Sequence, residues 1–292
     1  MSQNGHELVE VRLIPDETIP DRLFTCFAAV SPEVGVPLKR TYEAGESLPD
    51  HLADLYRKHL LYTHRLAEGG FIWEAGPAAD FTRILHIYAT QDMDSANQLM
   101  KDDPLYRAGF FTQGWWMEWS VRTPYWKCGP HMRGIIEEIM REDGILPSYP
   151  PGVNPPVSLQ KVEVVTPLRL VVSLVRADAA RLKQIHTNKK TGKPVPSFLP
   201  QHAFNRLGPG GSTRMGYEWE AGPSADSCYD LSIYSVGSIA MAKLLRENDP
   251  YTQNGVFYEP DYFEWFIHAP LRKASPGRRK ALQQLLEQAG AL

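Results

Sequence analysis

The side chains best suited to chemistry in this sequence are glutamates and histidines set among apolar and aromatic residues. Glu118 and Glu264 each precede a tryptophan, Glu74 and Glu220 each stand in a Trp-Glu-Ala-Gly-Pro run, and His86 interrupts the apolar run Ile84–Tyr88. A carboxylate or imidazole enclosed by aromatic rings has its pKa moved towards neutrality, where it can both take and return a proton. His51 and His202 stand near expected helix starts, where the helix dipole disfavours imidazolium and leaves the ring able to act as a base. His59, further along the same stretch as His51, is a second candidate for that role. Arg83 and Arg214 are suited to holding a substrate carboxylate or enolate oxygen. His59 and His64 are five residues apart, poor geometry for one ion, and no H-x-x-x-H or H-E-x-x-H pair exists, so no metal is expected. A Walker A loop, a convincing dinucleotide fingerprint and a G-x-S-x-G elbow are all missing, and no organic cofactor is expected either.

Elements must bring these groups together, and strand alternation sorts them. Leu85 and Ile87 match Leu231 and Ile233 in a second copy of the segment, so these apolar pairs are expected to face helices. His86 and Tyr88, with Ser232 and Tyr234, then face an opposing sheet. Met117, Trp119 and Val121 match Phe263, Trp265 and Ile267, which leaves Trp116, Glu118, Tyr262 and Glu264 on the same inner surface. That surface would hold carboxylates, one strand histidine and walls made of Tyr88, Trp116, Tyr234 and Tyr262. The same glutamates could instead pair with Arg83, Arg214 or Arg122 and stitch the sheets together. Asp80 and Asp226 read as turn-closing residues. Asp103 and Asp249, each before a proline, read as helix terminators.

Those matches are part of a wider repeat. The chain has 292 residues, and segments return at an offset of 146: over residues 71–90 against 217–236, ten of twenty positions are identical. The expected domains are therefore residues 1–146 and 147–292, each with a closing helix, at Met132–Arg141 and Arg278–Glu287. The proline-rich stretch Pro147–Pro156 reads as a stiff linker, and Gly208–Gly211 as a flexible loop. Each half reads as strand, helix, strand, strand, helix, strand. This α+β order gives two ferredoxin-like βαββαβ repeats, expected to form an intrachain pseudo-dimeric α/β barrel. Hydrophobic residues make up 43% and charged residues 22% of the chain, with a net charge of −3 and no basic block. Nucleic acid and membrane partners are therefore not expected. Three scattered cysteines and no visible signal peptide fit a cytoplasmic protein.

The Ala-Gly-Pro run after a glycine-ended helix, followed by a strand, a helix and D-P-x-x-x-x-G, resembles the YCII (YciI-like) family of the dimeric α/β-barrel superfamily. It occurs as Ala75-Gly76-Pro77 with Asp103-Pro104…Gly109, and again as Ala221-Gly222-Pro223 with Asp249-Pro250…Gly255. Pro49-Asp50-His51-Leu52-Ala53 matches the family's histidine context, and Pro200-Gln201-His202-Ala203 matches it in part, while spacing back from the Gly-Pro pair favours His59. The resemblance implies small cyclic or aromatic-derived substrates and proton-transfer chemistry. The expected function is a cofactor-independent lyase or isomerase of aromatic-compound catabolism, a monomer or a homodimer of fused repeats. His51, His59 or His202 would remove a proton, and Glu118 or Glu264 would return it or assist a leaving group. A non-catalytic small-molecule binding or assembly module and a cofactor-free oxygenase are the alternatives.

Overall fold

The computed structural model describes residues 18–20, 22–112, 114–123, 128, 170–182, 185–187, 194–196, 212 and 216–288. His202, Arg214, the Gly208–Gly211 loop, the Pro147–Pro156 linker and the expected Met132–Arg141 helix lie outside them. The elements run β1 (Leu23–Ala29), α1 (Pro32–Ala44), α2 (Asp50–Glu68), β2 (Ile72–Pro77), β3 (Arg83–Tyr88), α3 (Met93–Asp102), α4 (Pro104–Arg107) and β4 (Trp115–Trp119). The second series is β5 (Leu170–Ala177), α5 (Ala179–Leu182), β6 (Ile185–Thr187), β7 (Pro194–Pro196), β8 (Glu218–Pro223), β9 (Tyr229–Tyr234), α6 (Ile239–Glu247), α7 (Pro250–Gln253) and β10 (Phe257–Trp265). A 3₁₀ turn (Leu271–Lys273) and α8 (Pro276–Gln288) follow.

The two main sheets are four-stranded and antiparallel, ordered β2-β3-β1-β4 and β10-β5-β9-β8, the same ferredoxin-like order twice. The α+β class and the two repeats are as the sequence implies. One difference is α1. It contains Gly35 and Pro37, and Ser31 caps its start by accepting from Glu33 N–H, while Gly45 ends it in the left-handed region. The longer α2 buries Leu52, Tyr56, His59, Leu60 and Thr63 along one face, the i, i+4, i+7 spacing of an amphipathic helix.

The faces of the strands are the reverse of the expected assignment. Phe24, Cys26, Ile84, Tyr88 and the partly buried Trp116 share a core with Tyr56 and Leu60 of α2, so His86 and its alternates look towards the helices. Tyr234 and Tyr262 likewise pack with Ala242 of α6. The reason is visible in the burial. Every position of β2 and five of six in β3 are buried, so neither face is polar enough for alternation to tell one from the other. The Gly-Pro pairs are also not turns: Gly76 and Pro77 belong to β2. The turn falls later, where Phe81 and its counterpart Ser227 take φ of 56° and 61° and Asp80 and Asp226 accept from Thr82 and Cys228 N–H.

The chain forms two compact units, and each draws on both halves of the sequence. The first comprises Arg22–Trp119 with Phe263–Leu292, the second Met1–Asp21 with Ser120–Tyr262. In the first unit a returning strand lies along β2: Phe266 N–H donates to Pro77 O (3.0 Å), His268 N–H to Ala75 O (2.9 Å) and Ala75 N–H to Ala269 O (2.8 Å). In the second unit Ser120 N–H donates to Pro223 O (3.0 Å) and Arg122 N–H to Ala221 O (2.8 Å) along β8. A Cβ at Gly76 would sit 1.7 Å from Phe266 O, and one at Gly222 would sit 1.9 Å from Ser120 O. The repeated glycines are therefore needed for close backbone approach. Gly76→Ala and Gly222→Ala are each expected to lose about 3 kcal/mol or more in chemical denaturation. Gly237→Ala, whose added Cβ meets nothing within 4 Å, is expected to stay within about 0.5 kcal/mol of the parent.

Candidate metal centre

Three histidines converge in the first unit, each from a different element. His59 comes from the buried face of α2, one turn beyond Tyr56. His86 comes from the middle of β3, opposite Cys26 in the ladder. His268 comes from the returning strand, held in place by its own N–H on Ala75 O. The ring centroids are 5.1 Å (His59–His268), 6.0 Å (His59–His86) and 6.0 Å (His86–His268) apart. One nitrogen from each ring lies within 4.8 Å of the others. The three residues are 1%, 0% and 6% exposed in the order His59, His86, His268. Phe111 stands edge-on to His59 and His86, and Tyr56 stacks on His59.

The surroundings settle which nitrogens point inward. His59 Nδ1 is 2.7 Å from Asp103 Oδ2, which leaves its Nε2 for the cluster. The other oxygen of Asp103 accepts from Leu105 N–H at 2.8 Å, capping α4. Asp103 thus ties a helix start to an imidazole, and α2 to α4. His86 Nδ1 lies 3.3 Å from the Tyr88 hydroxyl, and that hydroxyl donates to Met100 Sδ. With the Tyr88 oxygen accepting from His86 Nδ1–H, the His86 Nε2 lone pair would be left for the cluster. His86 Nε2 and both His268 nitrogens are buried with no hydrogen-bond partner. Buried polar atoms are seldom left without partners, and three on facing rings mark a place for a ligand.

The electrostatics favour neutral rings. Burial, then the neighbouring His59, pushes His86 down to about 3. Burial first, with His59, His86 and Arg278 adding to it, holds His268 well below its ordinary value. Burial alone would raise the Asp103 carboxyl, but attraction to and the hydrogen bond from His59 hold it below its usual range. His86 and His268 are therefore neutral donors that need lose no proton to bind a cation.

The other expected site residues are dispersed. His51 is exposed at the start of α2, and His64 is buried on that helix outside the cluster. Glu118 makes a two-pronged ion pair with Arg22 at 2.7 and 3.0 Å, partly in solvent. Glu264 is half-buried on β10. Arg83 lies over the Phe263 ring at 5.1 Å. Tyr88 and Trp116 pack together on the helix side. Tyr234 and Tyr262 belong to the second unit. Glu74 is fully buried against Lys273 Nζ (3.1 Å), which also sits 3.5 Å over the Trp73 ring. Sequence reasoning missed Asp103 and His268. The first was read only as a helix terminator. The second had no signal in the repeat, since its counterpart 146 residues earlier is Arg122.

No family model matches the chain, and no curated protein matches it. Solved structures do. A chlorite dismutase variant from Candidatus Nitrospira defluvii has 11% identity and a TM-score of 0.47, covering 91% of this chain and 94% of its own. A heme-binding protein from Thermus thermophilus has 10% identity and a TM-score of 0.43, covering 87% and 98%. A putative monooxygenase from Lactobacillus acidophilus has 9% identity and a TM-score of 0.41, covering 86% and 95%. The YCII family itself finds no match.

The expectation of a cofactor-independent lyase or isomerase of aromatic catabolism is corrected: among the described residues its acid and base candidates are not brought together, with His51 facing solvent and Glu118 held by Arg22. No described helix is long and apolar enough to cross a membrane. Asp103 allows a direct test of the pairing, because it both caps a helix and holds the His59 imidazole. Asp103→Ala is expected to lose about 3 kcal/mol or more, because it strips a buried histidine of its partner.

Proposed function

We propose that the first unit is a mononuclear metal centre, with His59, His86 and His268 as ligands and Asp103 orienting His59. The observation that carries this reading is the convergence of three buried imidazoles, with His86 Nε2 and both His268 nitrogens buried and without a hydrogen-bond partner. Imidazole suits zinc, copper, iron and nickel rather than magnesium or calcium. Around such an ion at about 2.0–2.1 Å, nitrogens stand roughly 3.4 Å apart, within reach of small side-chain rotations from the present spacing. The carboxylate–histidine contact of Asp103 is the usual outer support of a metal-bound imidazole, fixing tautomer and raising basicity. Three protein ligands with a further position left over is the count of catalytic rather than structural sites.

Heme does not fit this cluster. A heme iron offers protein ligands only the two positions on opposite sides of its ring. Three nitrogens within 4.8 Å of one another leave no space for that ring between them. A small ion does fit, and when bound it supplies Lewis-acid or oxygen chemistry according to the metal. The supporting residues do the rest. Asp103 and Tyr88 set the tautomers, while Phe111 and Tyr56 keep water from the rings. An oxygenase using such a metal is the reading that follows, in place of the cofactor-free oxygenase considered from the sequence.

Metal analysis of the purified chain, after loading with zinc or ferrous iron, is expected to give one equivalent. His86→Ala or His268→Ala is expected to bring binding to background, and Asp103→Asn to weaken it about 10- to 100-fold. Ser232→Ala, at the position matching His86 in the second repeat, is expected to leave it unchanged. Equal metal content in parent and His86→Ala would remove the proposal.

A further inference from the structure

The second unit has a cleft of its own, lined by residues of α6, α7 and β10, with a volume of about 220 Å³. At roughly 30 Å³ for each water, that is room for about seven waters or an organic molecule of similar size. Phe257, Tyr258 and Tyr262 supply aromatic walls. Arg246 also lines the cleft, almost fully buried, with its charge matched by Asp230 at 2.8 Å. Lys243 and Glu247 line it too, both exposed and one turn apart on α6. Opposite charges four residues apart on a helix are near enough to pair, as Lys39 and Glu43 do on α1. Lys243 and Glu247 make no such pair among the described residues; the ammonium lies over the Tyr262 ring instead, 5.6 Å from its centroid. Thr252 adds a third polar group: it lines the cleft, and its hydroxyl oxygen is buried with no hydrogen-bond partner, a state seldom left unfilled. In the first repeat the positions of Lys243, Arg246, Glu247 and Thr252 are taken by Asn97, Met100, Lys101 and Tyr106. Every residue lining the cleft belongs to the second unit and the three histidines to the first, so either site could exist without the other.

We infer that this cleft binds a small aliphatic α-amino acid as its zwitterion. Arg246 and Asp230 balance each other, so the cleft presents one further positive and one further negative group. A molecule with no net charge but separated charges fits that pair better than an anion or a cation. The carboxylate meets Lys243. The ammonium meets Glu247 at the carbonyl end of α6, where the helix dipole also favours a cation. The aliphatic side chain packs on the tyrosine rings, and the Thr252 hydroxyl gains a partner in the ligand's polar end.

Saturation-transfer proton NMR on the full-length chain, with L-valine and L-leucine as probes, is expected to show saturable binding with a Kd on the order of 1 mM. N-Acetyl-L-leucine lacks the ammonium and L-leucinamide lacks the carboxylate. Each is expected to bind about three- to fivefold more weakly than L-leucine, the effect of losing one exposed ion pair. Glu247→Gln and Lys243→Gln are each expected to weaken L-leucine by the same factor. The penalty for the N-acetyl form is expected to vanish in Glu247→Gln, and that for the amide in Lys243→Gln. Both positions are exposed, so the fold is expected to survive either change, which circular dichroism checks. No saturable binding of either amino acid to the parent overturns the inference. So does equal affinity of the parent for L-leucine and its N-acetyl form, or a penalty for each analogue that is the same in parent and variants.

Discussion

The close contact of two backbones at Gly76 is the constraint on which the first unit depends. Pairing along an edge strand requires only that hydrogen bonds be made, but here the Phe266 carbonyl comes so near that a methyl group on residue 76 has nowhere to go. That approach seats the Trp265 indole, whose Nε1–H donates to Gly76 O at 2.9 Å in a fully buried setting. It also aligns Ala75 with Ala269 and delivers His268 to the helix side of the sheet. The Glu74–Lys273 pair and the Trp73 ring close the far end of the same strand. The run Trp-Glu-Ala-Gly-Pro can therefore be understood residue by residue as the seat of a returning strand. It recurs because the second unit uses the same seat, with Ser120 where the first has Phe266.

The duplication kept that seat and released what lies beside it. At an offset of 146, His59 is matched by Asn205, His86 by Ser232 and His268 by Arg122. In the second unit Ser232 accepts from Arg246 (2.7 Å), and Arg246 also pairs with Asp230 (2.8 Å) with both side chains buried. One unit has buried imidazoles with partnerless nitrogens; the other has a buried ion pair with its own hydrogen bonds. A buried charge paired in this way holds strands and helix together and needs no added ion. Both units share strand order and turn geometry, and among the described residues the histidine cluster lies in the first.

Much of the fold was legible in the sequence because it is local or repeated. The Asp80 and Asp226 turns, the strands and the α+β order follow from short-range pattern, and comparing the copies removes noise. The facing of the strands was not legible. Alternation identifies a face only when one side is polar, and Leu85 and Ile87 are as buried as Ile84 and Tyr88. His59 and His86 were singled out individually, yet nothing in their spacing joins them to each other. Asp103 shows the limit most clearly. Its proline neighbour announces a helix boundary, and one carboxylate oxygen does serve it, but the second oxygen's partner lies 44 residues away. His268 was invisible as a ligand because it reaches the cluster only through the returning strand.

His86 and His268 are 182 residues apart in the chain, so a ribosome must make most of the second repeat before the third imidazole exists. A partly synthesised chain presents two imidazoles and an aspartate with one side of the cluster open. The three rings come together only late, when the returning strand docks at Gly76.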